Sequence, residues 1–165
     1  MLITLTGFMG SGKSTVGRIV ADALGCPFLD LDELVEKQAG KPVAQVFVDE
    51  GESAFRTLEA AVLKKTVNKY AESTVVLALG GGALDNPGSA RLILEKSLCI
   101  YLQASADSLR ERLADDVVVR PLLAGDWEAL LARRLPVYES VAAVTLDTDG
   151  LTPSEIADEI IIDCL

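Results

Sequence analysis

One octapeptide, Gly7-Phe8-Met9-Gly10-Ser11-Gly12-Lys13-Ser14, constrains the architecture of this 165-residue chain more than any other feature. Its spacing is G-x-x-x-x-G-K-S, and its surroundings suit it. The apolar run Leu2–Thr6 precedes it as a strand. Val16, Ile19, Val20, Ala23 and Leu24 follow at i, i+3, i+4, i+7 and i+8, one face of an amphipathic helix that Gly25 can stop. Glycines accept backbone angles that other residues resist, so successive N–H groups can turn inward on phosphate oxygens, and the helix N-terminus adds its dipole. Gly10, Ser11, Gly12, Lys13, Ser14 and Thr15 are therefore the candidate nucleotide-binding residues. Lys13 would reach the β- and γ-phosphates, Ser14 would ligate Mg²⁺, and Thr15 stands in the first helical turn. The plain alternative is a glycine-rich turn that merely starts a helix.

Strand-like and helix-like runs alternate along the rest of the chain. Phe28–Leu31 reads as a second strand, followed by helical stretches over about 32–38, 43–49 and 52–71. Val75–Leu79 is a buried-type strand. Asn86-Pro87 opens a helix to Lys96, Leu98–Leu102 is a strand, and Ser105 caps a helix to about Leu113. A helix near 126–142 and a short strand Val144–Leu146 follow. Thr152-Pro153-Ser154-Glu155 is a capping box before a last helix with Ile156, Ile160 and Ile161 on its apolar face. Five strands separated by helices imply parallel pairing and right-handed crossovers. The expected fold is a three-layer α/β/α single domain over 1–165, its five-stranded parallel sheet flanked by helices. Such folds bind ligands beyond the carboxyl ends of their strands.

Composition narrows the function. The chain has 15 basic and 25 acidic residues, a net charge of −10, which argues against a nucleic-acid or anionic-membrane partner. It has no histidine, so Ser-His-Asp and Cys-His catalysis, histidine-ligated metals and histidine pH sensing are excluded. Cys26, Cys99 and Cys164 are widely spaced and odd in number, with no C-x-x-C, which reads as reduced core residues of a cytosolic protein and not as a disulfide frame or zinc site. Met1–Thr6 runs straight into glycine with no basic segment or cleavage site, and no run of about 18 apolar residues follows. A cytoplasmic monomer is expected.

Other residues suggest what lies around the cradle. Asp30 and Asp32 close the second strand. Two residues apart on a strand they would face one cleft, one anchoring Mg²⁺ and the other taking a hydroxyl proton; helix N-capping is the alternative. Glu52, Phe55, Arg56 and Glu59 share one helix face, either as solvated ion pairs or as glutamates that orient Arg56 for an anionic substrate. Gly80-Gly81-Gly82 at a strand's carboxyl end suggests close backbone approach to a ligand. Arg120-Pro121-Leu122-Leu123 lies in a weakly periodic stretch, 114–125, that could form a lid carrying a basic residue, or an ordinary loop. Of Arg133 and Arg134, adjacent on a helix, at most one can face the cleft. A guanine reader would need N-K-x-D, and Asn68-Lys69-Tyr70-Ala71 has Ala where Asp is required.

These motifs, in this order over essentially the whole chain, resemble the shikimate kinase family of P-loop NTPase fold. Gly7–Ser14 matches its phosphate loop and Asp30-Leu31-Asp32 its D-x-D. Gly51-Glu52, Phe55-Arg56 and Glu59 match G-E-x-x-F-R-x-x-E, Gly80–Gly82 its glycine triplet, Arg120–Leu123 its R-P-L-L lid, and Arg134 to Tyr138 its R-x-x-x-Y element. The resemblance implies ATP-dependent phosphorylation of the 3-hydroxyl of shikimate, with Mg²⁺. It implies that Arg56 and Arg134 hold the carboxylate and that Asp32 binds ring hydroxyls as the candidate base. Gly80, Gly81 and Gly82 would approach the substrate, and Asp30 would position Mg²⁺ with Ser14. Lys13, Asp32 and Arg120 would be catalytic, and residues about 32–60 the substrate-binding helical part. The family's adenine lies between an arginine and a proline, which Arg112 (with Arg110 close by) and Pro153 fit. Only nine residues separate Leu123 from Arg133, shorter than is usual in the family, and Trp127 lies among them. The alternatives are another small kinase acting on a polyol acid such as gluconate, and a non-catalytic nucleotide-binding relative.

Overall fold

Every residue of β1 (Leu2–Thr6) is buried, as a strand covered on both faces requires. Side chains alternate across the sheet and so feed two cores. Leu2, Val75, Leu77, Cys99 and Tyr101 face one layer; Ile3, Leu5, Val76, Ile100 and Leu102 face the other. The computed structural model describes residues 1–114 and 125–165, so Arg120 and nearly all of the expected lid lie outside the described residues.

The elements run β1, α1 (Lys13–Leu24), β2 (Phe28–Asp30), α2 (Leu31–Ala39), α3 (Val43–Lys69), β3 (Val75–Ala78), α4 (Pro87–Lys96), β4 (Leu98–Gln103), α5 (Ala106–Ala114), α6 (Trp127–Val141), β5 (Val144–Asp147) and α7 (Pro153–Glu159). A π-helical turn, Ile160–Cys164, continues α7. The five strands are all parallel in the order β2-β3-β1-β4-β5, with Leu2 opposite Val75 and Ile3 opposite Leu98. Helices α1 and α7 cover one face through Val16, Val20, Ile156 and Ala157. Helices α3, α4 and α6 cover the other through Val62, Leu63, Ile93 and Tyr138. This is the expected three-layer architecture.

Local chemistry sets the boundaries. Gly25 ends α1 in the left-handed conformation, φ 62°. The Asn86 side chain accepts from the Ser89 N–H at 3.1 Å, and Thr152 with Glu155 forms the capping box of α7. Helix α3 is broken at Gly51 (φ 85°, ψ 171°), which separates the two helical stretches expected there.

One expectation fails. Asp30 and Asp32 do not share a strand face, because β2 ends at Asp30 and Leu31 begins α2. The Asp30 Oδ1 accepts the Asp32 N–H at 3.0 Å and caps the helix, while Leu31 is fully buried. A cap satisfies an otherwise orphaned N–H and so outweighs continuing a strand by two residues. The three cysteines are free; Cys99 lies in the core as expected, whereas Cys26 and Cys164 are only partly buried, packed against the edge of the core between α1, β2 and α7. No helix among the described residues is long and apolar enough to cross a membrane.

Candidate active site at the carboxyl edge of the sheet

Because β1 lies between β3 and β4 and the chain departs from it in both directions, a crevice opens beyond the carboxyl ends of β1, β2 and β3. The phosphate loop leaves β1 there, Asp30 leaves β2, and Gly80–Gly82 leaves β3. The resulting cleft has a volume of about 790 Å³. Gly10, Gly12, Lys13, Ser14, Thr15, Asp30, Asp32, Arg56, Gly80, Gly81, Gly82, Arg112 and Arg134 all line it.

The loop is built as its glycines suggest. Gly10 and Gly12 have φ 81° and 93°, a region that side-chain-bearing residues rarely adopt. Gly12 is the N-cap of α1, so the helix's positive end faces the cleft. The Lys13 ammonium donates to the Gly7 and Phe8 carbonyls at 2.7 and 2.9 Å. The Ser14 hydroxyl donates to Asp30 Oδ2 at 2.5 Å, which joins the first turn of α1 to the end of β2. Asp30 thus uses both oxygens, one on Ser14 and one on the α2 cap. Ser11 is buried, with no hydrogen-bond partner for its hydroxyl among the described residues, and does not line the cleft.

Two arginines from distant helices meet over Gly82. Arg56 on α3 gives Nη1 to Glu59 Oε1 at 2.8 Å, and its Nε lies 3.9 Å from Glu52 Oε1. Arg134 on α6 gives Nε to Asp85 Oδ2 at 3.0 Å. A methyl group on Gly82 would collide with Nη2 of both guanidinium groups, so only glycine leaves them room. Tyr138, four residues after Arg134 and on the same face of α6, donates its hydroxyl to the Gly81 carbonyl at 2.5 Å. Arg133 is exposed, so one of the adjacent pair faces the cleft, as helix geometry requires. Arg56 and Arg134 are 19% and 3% exposed, so their charges act where water screens them little.

Glu59 is almost fully buried. Its Oε2 has no hydrogen-bond partner among the described residues, and it lies near Asp32 Oδ1, both crowding the space beside Gly80. Burial raises the Glu59 pKa above its ordinary 4.5; Arg56 opposes the shift, and Asp32 adds to it. Burial likewise pushes the Tyr138 hydroxyl well up, so it remains a donor.

Arg112 lines the cleft, 3.4 Å from the Gly10 and Thr148 carbonyl oxygens. Arg110 is turned away, bonded to Asp107 and Glu128 and 5.9 Å from the Trp127 ring centroid. Pro153 stands exposed at the first position of α7 and is not among the lining residues. The structure adds Asp85, and it adds Val43, Ala44 and Phe47 along the far wall. Phe47 packs on Phe55 at 4.7 Å. Nothing in the sequence marks Asp85, whose partner is 49 residues away. The helical spacing of Val43 and Phe47 was visible as an apolar stripe, but it reads equally as core.

Comparison with known proteins agrees with this geometry. A model of the shikimate kinase family matches residues 9–165. The shikimate kinase of Chlorobium luteolum is 41% identical, over 96% of this chain and 85% of the relative. A solved structure of shikimate kinase from Acinetobacter baumannii, in complex with shikimate, is 34% identical with a TM-score of 0.90, covering 97% of this chain and 90% of that one. A gluconokinase from Sinorhizobium meliloti, 23% identical at a TM-score of 0.61, shares the fold alone.

Proposed function

The chain belongs to the shikimate kinase family, and from that premise we propose that it transfers the γ-phosphoryl group of ATP to the 3-hydroxyl of shikimate, giving 3-phosphoshikimate and ADP. The observation that carries the reading is the meeting of Arg56 and Arg134 over Gly82, in the same cleft as Lys13 and Asp32. One buried and one partly buried guanidinium beside a phosphate loop suit a small hydroxylated acid.

The residues divide the work. Arg56 and Arg134 hold the carboxylate, which points the ring toward Asp32. Asp32 orients the attacking hydroxyl and takes its proton as the new O–P bond forms and the bond from the γ-phosphorus to its bridging oxygen breaks. Lys13 neutralises charge on the moving phosphoryl oxygens, and Arg120 takes the same part. Arg112 and Pro153 flank the adenine. The Ser14 hydroxyl and Asp30 carboxylate are hard oxygen donors in contact with each other, the kind of donors that would hold Mg²⁺ beside the nucleotide's phosphates. Bound there, the ion would neutralise phosphate charge. Residues 1–165 act as one domain, residues about 32–60 as its substrate-binding part, and the protein as a cytoplasmic monomer.

ADP release with shikimate, quinate, gluconate and nucleoside monophosphates, with Lys13→Ala as blank, tests the reading. Release with shikimate far above the others is expected. Faster release with gluconate would assign a different acid kinase, and ATP binding with no acceptor-dependent release would make the chain a nucleotide-binding module. Asp32→Asn should abolish turnover while ATP binding, followed by calorimetry, stays nearly intact.

A further inference from the structure

We propose that Asp85 is a positioning residue for the acid-binding arginine pair, holding Arg134 by its Nε so that both Nη groups face the acceptor's carboxylate. The inference rests on the functional reading above and adds to it a residue that neither the motifs nor the resemblance singled out.

Arg134 is 3% exposed, and its one ion pair among the described residues is to Asp85, at 3.0 Å through Nε. A guanidinium is planar, so fixing the stem and Nε fixes the directions of the remaining donors. Those donors lie over Gly81 and Gly82. The Gly81 carbonyl accepts from the Tyr138 hydroxyl, and among the described residues no Arg134 donor bonds to it. Asp85 is itself well anchored. It ends a short 3₁₀ turn, Ala83–Asp85, and its N–H donates to the Gly82 carbonyl at 3.1 Å. The next residue, Asn86, caps α4.

A second acid lies within electrostatic reach of Arg134. Glu59, which already holds Arg56, keeps one buried oxygen without a hydrogen-bond partner among the described residues. Each arginine of the pair therefore has its own acid, Glu59 for Arg56 and Asp85 for Arg134. Without Asp85, a buried guanidinium in need of a partner would turn toward Glu59 and withdraw its Nη groups from above Gly82. Asp85 also repels the incoming carboxylate, but its side chain is 41% exposed and that repulsion is screened by water. The loss of aim acts inside the cleft and is the larger effect.

Steady-state kinetics of the full chain test this, with shikimate as acceptor and its methyl ester as a neutral competitor. Asp85→Ala should raise the KM for shikimate about tenfold, with kcat within about twofold and the KM for ATP unchanged. Asp85→Asn should fall between, at about threefold, because its amide oxygen still accepts from Nε without charge assistance. The inhibition constant of the ester should be equal in all three proteins, whereas a merely structural role would move ester, ATP and kcat together. A shikimate KM within twofold of wild type in Asp85→Ala, or equal losses for acid and ester, would overturn the proposal. Wild-type protein that releases no ADP with shikimate would count against the functional reading alone. Asp85 would then be judged by the acid-to-ester ratio of dissociation constants from calorimetry, where a fall in Asp85→Ala supports it and an unchanged ratio overturns it.

Discussion

Gly82 has φ −109° and ψ 8°, angles open to any residue, so its backbone does not require glycine. The space above it does. Gly82→Ala would push aside the ends of two flexible side chains and leave the main chain in place. Stability should change by less than about 1 kcal/mol, while the KM for shikimate rises tenfold or more and ATP affinity holds. Thermal unfolding and steady-state kinetics on one preparation separate the two effects; a KM equal to wild type would contradict the close approach. Glu59 yields a pH prediction. Its folded pKa is raised above 4.5, so it keeps its proton in the fold after the unfolded chain has released it. Stability of the ligand-free protein therefore falls as pH rises from about 4.5 through the folded pKa, and Glu59→Gln should lose that slope. Denaturant unfolding at stepped pH measures both, and parallel curves would refute the assignment. At this scale the sequence was partly misleading. Alternation placed Asp30 and Asp32 on one strand face, whereas the pair reaches the same cleft through a helix cap, with Asp30 at the N-cap and Asp32 in the first turn.

At the scale of elements, Gly51 has the larger consequence. It divides α3 into 43–50, which carries Val43, Ala44 and Phe47 of the cleft wall, and 52–69, which carries Phe55, Arg56 and Glu59. A side chain there would meet nothing within 4 Å, so the cost of Gly51→Ala is conformational: φ 85° with ψ 171° is close to exclusive to glycine. The variant should lose about 1–3 kcal/mol, or recover it by straightening α3 and moving the far wall. Either way melting temperature or shikimate KM shifts; if neither does, the break plays no part in shaping the cleft. Most element boundaries were legible because capping is a contract between neighbours in sequence, as with Asn86 and Ser89 or Thr152 and Glu155. The 3₁₀ turn at Ala83–Asp85 was not, since three residues carry no periodicity.

Over the whole molecule, charge sets the problem. A chain of net charge −10 must admit two anions, and it does so by gathering Lys13, Arg56, Arg112 and Arg134 around one cleft. At about 10 mM salt the screening length is about 30 Å and the full negative charge is felt; at 150 mM it is about 8 Å and the cleft dominates. Raising salt between these values should speed shikimate association about threefold, measured by stopped flow, and a slower rate would mean that the local cations already govern the approach. The octapeptide, the alternation of strands and helices and the caps depend on contacts within a few residues, and for that reason the order of layers and the place of the phosphate loop could be read from the chain. The pairing of Arg56 with Glu59 was also within reach, three residues apart on one helix. The meeting of Arg56 with Arg134, the grip of Asp85 on Arg134 and the burial of Glu59 beside Asp32 join residues from separate helices and loops. Only the packing of α2, α3, α6 and the Ala83–Asp85 turn at the carboxyl edge of the sheet determines those distances, because burial and electrostatic coupling belong to the packed interior and not to any segment of it.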